Sequence, residues 1–196
     1  MAAVHSTNPI NFENLVFSGR YTSAPFNMEN MMAPQLTSDQ VWQEIEKHFF
    51  AVLGMVTAKG ESRTVGVNYV VDDHKLCINT DREAWKTRHV AANPHVSITI
   101  LIVKRVPLLP WLKIPPATIT FHGEANVLEY GDVKAEVIDK IYHHVTLDDQ
   151  TADQYRIIEV MPKNQFITYG VGIPVWQMRF PEKARGRADW TERDRT

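Results

Sequence analysis

Three β-prone segments follow one another with almost no chain between them, at residues 50–58, 63–71 and 75–79. The two connections, Lys59-Gly60-Glu61 and Asp72-Asp73-His74, have the Gly and Asp residues that are typical of tight hairpin turns. Such a short turn joins only antiparallel neighbours, since parallel strands need a long crossover connection. This spacing therefore predicts an antiparallel meander, and such a sheet tends to close into a barrel because closure removes its exposed edges.

Four further strands are predicted along the chain. The segments at 95–103 and 117–129 are rich in Val, Ile and Thr, and in the second of them polar side chains alternate with apolar ones. A last pair of strands, at 155–161 and 165–171, is expected to pair as a hairpin around Pro162-Lys163-Asn164.

Three segments have the helical period instead. The first begins at Thr37, which forms a capping box with Gln40, and we expect this helix to cover one open end of the core. The second runs from Thr80, which forms a further capping box with Glu83, to Ala92. The predicted apolar faces are Val41, Trp42, Ile45 and Phe49 for the first helix and, for a third helix over 132–145, Val133, Val137, Ile138 and Ile141.

These elements predict a mainly β protein, with one antiparallel barrel domain and its flanking helices over residues 36–180. Residues 1–35 are rich in Asn, Ser, Met and Pro and are interpreted as an irregular arm. Residues 181–196 are charged and short of apolar side chains, so we expect a tail that is mobile or ordered only against a partner.

The composition bears on partners and on compartment. A net charge of −2 over 196 residues gives no general attraction to nucleic acid or to an anionic membrane. No segment has the run of about 18–20 apolar residues that spans a bilayer, and no signal peptide is expected from the first residues. A single cysteine, Cys77, excludes an internal disulfide, which fits a cytoplasmic protein, and we interpret Cys77 as an apolar strand thiol.

Residues 63–87 are the most informative stretch for function. Arg63 opens a strand, the hairpin returns the chain to Thr80, and Lys86 lies in the first two turns of the helix predicted to follow. A helix N-terminus attracts phosphate, and a hydroxyl, a guanidinium and an ammonium group would strengthen that site. The alternatives are that Thr80 only caps the helix and that Arg63 and Lys86 are solvated surface charges.

No catalytic side chain and no metal site are predicted. The eight histidines have no metal-ligand spacing, and the adjacent His143 and His144 would diverge by about 100° on a helix. The chain contains no G-x-S-x-G, P-loop or G-x-G-x-x-G motif.

Trp111 and Trp176 each have two interpretations. The apolar, proline-rich loop 106–116 carries Trp111 and is interpreted as a lid or dimer contact that shields a cofactor; alternatively the loop packs on its own barrel. Trp176 either reaches the site of a neighbouring subunit or packs in the core.

Several motifs occur in an order that resembles a known family. The segment Phe50-Ala51-Val52-Leu53-Gly54-Met55-Val56-Thr57 leads through Gly60 to Arg63-Thr64-Val65-Gly66-Val67-Asn68-Tyr69. Leu76-Cys77-Ile78-Asn79-Thr80, Trp85-Lys86-Thr87-Arg88 and Asn93-Pro94-His95-Val96-Ser97 follow. Over residues 41–127 the chain resembles the pyridoxamine 5′-phosphate oxidase-like superfamily, and its C-terminal part is similar to actinobacterial flavin/deazaflavin oxidoreductases. The resemblance implies a split β-barrel of the FMN-binding type, working as a homodimer with the cofactor at the subunit interface.

The resemblance also implies which residues hold the cofactor. The phosphate would lie by Arg63, Thr80, Lys86 and Thr87, and the ring would lie along a strand backbone in which Gly66 permits close approach. Asn79 and Trp85 would line the phosphate and ribityl region. With Trp111 and Trp176 included, the candidate cofactor-binding residues are Arg63, Thr64, Val65, Gly66, Val67, Asn68, Asn79, Thr80, Trp85, Lys86, Thr87, Trp111 and Trp176.

Two departures from the family pattern restrict the function. True pyridoxamine phosphate oxidases have a lysine where this chain has Asn68, and their C-terminal Arg/His substrate motif is absent from residues 176–196. We therefore expect an oxidoreductase that uses FMN, or alternatively a deazaflavin, to exchange hydride with a small-molecule substrate. The alternative is a non-catalytic protein that stores or senses flavin or haem. A third hypothesis is an interaction module with an empty barrel.

Overall fold

The computed structural model describes residues 35–104, 111, 114–142 and 148–190. The arm predicted before Gln35, most of the 106–116 loop, the pair His143-His144 and the last six residues lie outside the described residues. In chain order the elements are α1 (Ser38–Ile45), β1 (Phe50–Val56), β2 (Ser62–Asn68), β3 (Val70–Asp72), β4 (Lys75–Asp81), α2 (Trp85–Ala92), β5 (His95–Ile102), β6 (Ala117–Glu129), a 3-10 helix (Tyr130–Asp132), α3 (Ala135–Tyr142), α4 (Asp149–Asp153), β7 (Tyr155–Pro162), β8 (Gln165–Tyr169), a 3-10 helix (Val175–Gln177), α5 (Pro181–Ala184) and β9 (Arg185–Asp189).

All the strands of the described residues belong to one antiparallel sheet. The strand order is β2-β1-β5-β6-β7-β4-β3, with β8 paired to β6 and β9 paired to β8. The sheet curls until β2 contacts β4, so that its two ends approach each other. The predicted antiparallel split β-barrel with flanking helices is therefore confirmed.

Tight turns set the meander, as the sequence predicts. Asp72 pairs with Lys75, and the two residues between them have φ angles of 46° (Asp73) and 56° (His74). Positive φ at both central residues is the geometry of a two-residue hairpin whose twist matches its strands. The first turn likewise uses a left-handed residue, since Gly60 has a φ of 79°.

The expected hairpin between the last two predicted strands is wrong. Strands β7 and β8 do not pair with each other; both run along the same long neighbour, β6, which has 13 residues. Gly123 pairs with Pro162 and Thr120 pairs with Ile167, so the chain bulges between them at Lys163 and Asn164. The sequence pattern of a turn therefore marks a bulge within one continuous edge of β6.

Helix α1 covers one end of the barrel, and its predicted capping box is confirmed. The Thr37 hydroxyl accepts from the Gln40 amide, and the Gln40 side chain accepts from the Thr37 amide at 3.0 Å. Phe49 was expected on the apolar face of this helix, but the helix ends at Ile45 and Phe49 is 70% exposed. The buried residues of α1 join a core made from the inward faces of the strands, which includes Val41, Trp42, Ile45, Leu53, Ile78, Ile98, Ile100, Ile119, Phe121 and Phe166.

The segment after Pro181 packs within this chain, so the expectation that it orders only against a partner is wrong for residues 181–190. Strand β9 pairs with β8 along its whole length. Trp190 then turns inward and is buried between the rings of Trp42, His74 and Phe166, with ring centroids 5.4 to 6.1 Å away. The strand pairing and the buried indole together anchor this charged segment.

The helices of the described residues have at most eight residues. None of them is long and apolar enough to cross a membrane. Helix α3 occupies the middle of the segment predicted at 132–145, and its buried Val137 packs with Cys77 and Ile157 on the outer face of β4 and β7.

Candidate functional site

A cavity of about 610 Å³ opens beside the second and fourth strands, with helices α2 and α3 at its sides. This volume lies within the range of sites that hold small organic ligands. The described residues that line it are Phe49, Gly66, Val67, Asn68, Tyr69, Val70, Cys77, Asn79, Lys86, Lys140 and Ile141.

The cavity brings together part of the set predicted from the sequence. Two groups contribute: consecutive residues of β2, which offer backbone as well as side chain, and single residues of β4 and α2. The predicted residues that line the cavity are Gly66, Val67, Asn68, Asn79 and Lys86. The predicted residues that do not line it are Arg63, Thr64, Val65, Thr80, Trp85, Thr87, Trp111 and Trp176.

The charge of the cavity wall is positive. Lys86 forms no ion pair with any residue that the structure describes, and it is only half-buried. Lys140 is already engaged, because its ammonium donates to the Val71 carbonyl at 3.0 Å and lies 3.6 Å from an Asp72 carboxylate oxygen. Since no carboxylate occurs among the described lining residues, the wall favours an anionic or acceptor-rich ligand beside Lys86.

Asn79 is oriented from outside the cavity. Its side-chain oxygen accepts a hydrogen bond of 3.0 Å from the hydroxyl of Tyr142, the last residue of α3. Burial raises the pKa of Tyr142 to about 12, so this hydroxyl remains protonated and remains a donor at neutral pH.

Thr80 and Thr87 hold α2 against the sheet. Their hydroxyl oxygens lie 3.2 Å apart, and the Thr87 hydroxyl donates to the Asp81 carbonyl at 2.8 Å. Both threonines are buried. The predicted capping box at Thr80 is wrong, because Thr80 pairs with Arg156 of β7 as part of a strand and the helix begins only at Trp85.

Arg63 lies at a neighbouring depression of about 280 Å³ rather than in the cavity. Its guanidinium pairs with the Glu61 carboxylate at 3.0 Å, and both side chains are exposed. His89, one turn after Lys86 on α2, lines this depression and contacts the ring of Trp85 at 5.7 Å between centroids. Helix α2 therefore presents Lys86 to the cavity and His89 to the depression.

Gly66 has an internal reason to lack a side chain. A Cβ atom at this position would lie 2.8 Å from the Cζ atom of Phe50, whose ring lies across it from β1. A larger residue here would therefore displace the partly exposed Phe50 ring, whether or not a ligand is bound.

Trp111 and Trp176 are both exposed. Trp176 is 68% exposed in a 3-10 helix, which excludes the alternative that it packs in the core of this chain. Trp111 is 74% exposed, and the residues on either side of it lie outside the described ranges.

The sequence analysis missed other lining residues, including Cys77 of β4 and the two that α3 supplies, Lys140 and Ile141. Strand alternation places Cys77 on the same face of β4 as Asn79, a signal that could have been used. The docking of Lys140 and Ile141 has no comparable signal, because it depends on how α3 packs against β3 and β4. Burial, with the nearby charges of Glu159 and Asp72, raises the pKa of Cys77 to about 12, so its thiol is neutral and unreactive at ordinary pH.

Comparison with known proteins agrees with this architecture. The family model described as pyridoxamine 5′-phosphate oxidase matches residues 37–168, more than half of the chain. The chain therefore belongs to the pyridoxamine 5′-phosphate oxidase family. A search of curated proteins finds no match.

Several solved structures have a similar fold. A protein from Listeria innocua, solved under the name of a pyridoxamine 5′-phosphate oxidase, is 21% identical with a TM-score of 0.50, over 64% of this chain and 92% of that one. A conserved hypothetical protein from Mycobacterium tuberculosis is 12% identical with a TM-score of 0.52, over 84% and 89%. The haem storage protein from Vibrio cholerae is 16% identical with a TM-score of 0.51, over 69% and 96%. At these identities the comparisons show a shared fold.

Proposed function

We propose that this protein is an oxidoreductase that binds FMN, or alternatively a deazaflavin, in the cavity between β2, β4, α2 and α3. The observation that carries the proposal is the unpaired Lys86 beside a wall that holds two amide side chains and no carboxylate among its described residues. Such a wall suits a ligand that combines a flat ring, several acceptor atoms and an anionic tail. Membership of the pyridoxamine 5′-phosphate oxidase family supports a ligand of this class.

Different lining residues would bind different parts of the cofactor. The ammonium of Lys86 would pair with an anionic group of the cofactor, and the amides of Asn68 and Asn79 would hydrogen-bond to its polar edge. The backbone of Gly66 and Val67 would form the wall along the ring. A bound flavin or deazaflavin supplies the hydride chemistry itself. The protein then has to orient the ring and exclude water, which requires no acid or base among the side chains.

Haem binding is less well supported by the cavity wall. A haem iron takes an axial ligand such as His, Cys, Met or Tyr. Among the described lining residues only Tyr69 and Cys77 belong to this group. The Tyr69 hydroxyl donates to the Ile45 carbonyl at 2.8 Å and burial raises its pKa, while the Cys77 thiol is also kept protonated by burial. We therefore favour flavin over haem.

A homodimer is part of the proposal. Phe49 lines the cavity and is 70% exposed, and Phe50, whose ring covers Gly66, is 43% exposed. Exposed rings beside a ligand site are costly in a monomer, and a second copy of the chain would cover them and close the cavity. Light scattering at micromolar concentration is expected to give the mass of a dimer; a monomer mass would contradict this part of the proposal.

Turnover separates an enzyme from a carrier. The protein should be loaded with FMN or with a deazaflavin and mixed with reduced nicotinamide under anaerobic conditions, and the cofactor absorbance followed. Bleaching of the bound cofactor, followed by oxidation of several equivalents of reduced nicotinamide once an acceptor is added, would support an oxidoreductase. Tight binding without any redox exchange, for either cofactor, would support a carrier or sensor instead.

A further inference from the structure

Asn79 and Tyr142 form a hydrogen bond that joins the cavity wall to helix α3. Asn79 lines the cavity, whereas Tyr142 does not. The 3.0 Å bond runs from the tyrosine hydroxyl to the amide oxygen of Asn79. In this bond the phenol donates and the amide oxygen accepts, so the oxygen of Asn79 faces Tyr142.

This bond determines what Asn79 offers to a ligand. With its oxygen engaged by Tyr142, Asn79 retains the two N–H groups of its amide nitrogen, which makes no hydrogen bond with any residue in the described part of the chain. An unconstrained amide can rotate and present either its oxygen or its nitrogen. The bond thereby orients Asn79 so that its amide nitrogen remains as the donor for a ligand.

Tyr142 is itself held in place. Its ring contacts those of Tyr130 and Tyr155, at centroid distances of 6.1 and 6.0 Å. Helix α3 is anchored by Val137, which is 2% exposed in a cluster with Cys77 and Ile157. The orientation of Asn79 therefore depends on packing outside the cavity and does not need a bound ligand.

We propose that Tyr142 is a positioning residue that fixes Asn79 as a hydrogen-bond donor to an acceptor oxygen or nitrogen of the ligand. This inference rests on the proposed function, because it assumes that the cavity holds a flavin or deazaflavin. The shared chemistry is an acceptor atom, which a ring carbonyl, a ribityl hydroxyl or a phosphate could supply. Together with Lys86, an Asn79 oriented as a donor selects ligands with acceptor edges and rejects cations and donor-rich edges.

The test compares FMN with riboflavin, which lacks the phosphate, by titration of flavin fluorescence. Tyr142→Phe keeps the ring and removes the hydroxyl donor. The Asn79 amide should then lose its fixed orientation, and the affinity for the ligand should fall. The expected loss is about 3- to 10-fold, the size of one neutral hydrogen bond. A loss for both ligands would place the acceptor on the ring or ribityl chain, and a loss for FMN alone would place it on the phosphate.

Asn79→Asp should change the pH dependence of ligand affinity, which a purely structural role of Asn79 would not do. The carboxylate still accepts from Tyr142 but presents no donor at neutral pH, so the affinity for each ligand that Tyr142→Phe weakens should fall by about 10-fold or more. A protonated carboxyl regains one O–H donor. Affinity of this variant should therefore rise as the pH is lowered through the carboxyl pKa, while the wild-type profile stays flat over the same range.

Controls keep the outcomes distinct. Tyr130→Phe removes a hydroxyl from the same ring cluster without touching Asn79 and should bind like the wild type. In an Asn79→Ala background, Tyr142→Phe should have no further effect on affinity; an undiminished effect there would overturn the proposal. If the wild type binds flavin and both Tyr142→Phe and Asn79→Asp bind equally well, the positioning role is wrong and the proposed function stands. If the wild type binds neither flavin nor deazaflavin, both fail together.

Discussion

Replacing Trp190 with alanine tests the packing of the C-terminal segment most sharply. The indole is 5% exposed and meets the rings of Trp42, His74 and Phe166. It directly follows β9, so its burial holds the end of that strand against the barrel. Trp190→Ala removes this anchor and leaves a cavity beside the largest buried side chain of α1, Trp42.

The magnitude follows from the area that the indole buries. A buried tryptophan covers about 200 Å², which at roughly 25 cal/mol per Å² corresponds to about 5 kcal/mol. Buried Phe or Trp to Ala substitutions cost about 3–5 kcal/mol when the surroundings cannot collapse. Because β9 pairs only with β8 among the described strands and can shift inward, we expect the lower end, about 3 kcal/mol.

Chemical denaturation followed by circular dichroism measures this loss without relying on tryptophan fluorescence. Trp176→Ala is the matched control, since Trp176 is 68% exposed and its removal should change the free energy of unfolding by less than about 0.5 kcal/mol. If Trp190→Ala were as neutral as the control, the segment from Pro181 would not be part of the folded barrel and its assignment as a strand would be refuted.

Three further predictions concern the cavity. Lys86→Ala should weaken FMN binding by about 1.5–3 kcal/mol, the size of a hydrogen bond to a charged group. The control Lys163→Ala removes only an exposed ion pair with Glu124 and should leave the affinity unchanged. Equal affinities of the two variants in a fluorescence titration would contradict the role of Lys86. Cys77 should react with a thiol reagent at pH 8.5 at least about ten times more slowly in the native protein than in denaturant, because its raised pKa of about 12 keeps the buried thiol neutral. Fast labelling of the native protein would show that Cys77 is accessible and ionised. Gly66→Ala should lower the free energy of unfolding by about 1 kcal/mol, because the new methyl group pushes the Phe50 ring off its rotamer. This cost should vanish in a Phe50→Ala background. A cost that persists there would mean that the backbone itself requires glycine.

Local chemistry made much of the fold predictable. Turn residues with positive φ, such as Gly60, Asp73 and His74, determine the meander from positions that adjoin each other in sequence. The capping box of Thr37 is equally local and forms as expected. Where the deciding contact comes from a distant part of the chain, the same kind of signal misleads. Thr80 has the sequence of a helix cap, yet its backbone pairs with Arg156 and continues a strand.

The lining residues that lie close together in the sequence were also the ones that could be predicted. Gly66, Asn68, Asn79 and Lys86 derive from one continuous hairpin-and-helix unit, and the structure brings them to one cavity. The wall supplied by α3 arrives from more than fifty residues further along the chain. Its docking depends on Val137 and its neighbours packing on β4, so neither the bond from Tyr142 nor the charge of Lys140 at the cavity follows from sequence spacing.

An absorbance spectrum of the purified protein determines whether the cavity retains a flavin or a deazaflavin. It should be recorded before and after incubation with excess FMN and, separately, a deazaflavin, with desalting to remove unbound ligand. The account predicts that one of these ligands is retained by the wild type, with visible bands in proportion to protein, and that Lys86→Ala retains less of it. Loss of both ligands on desalting, together with no change in fluorescence on titration, would contradict a flavin site in this cavity.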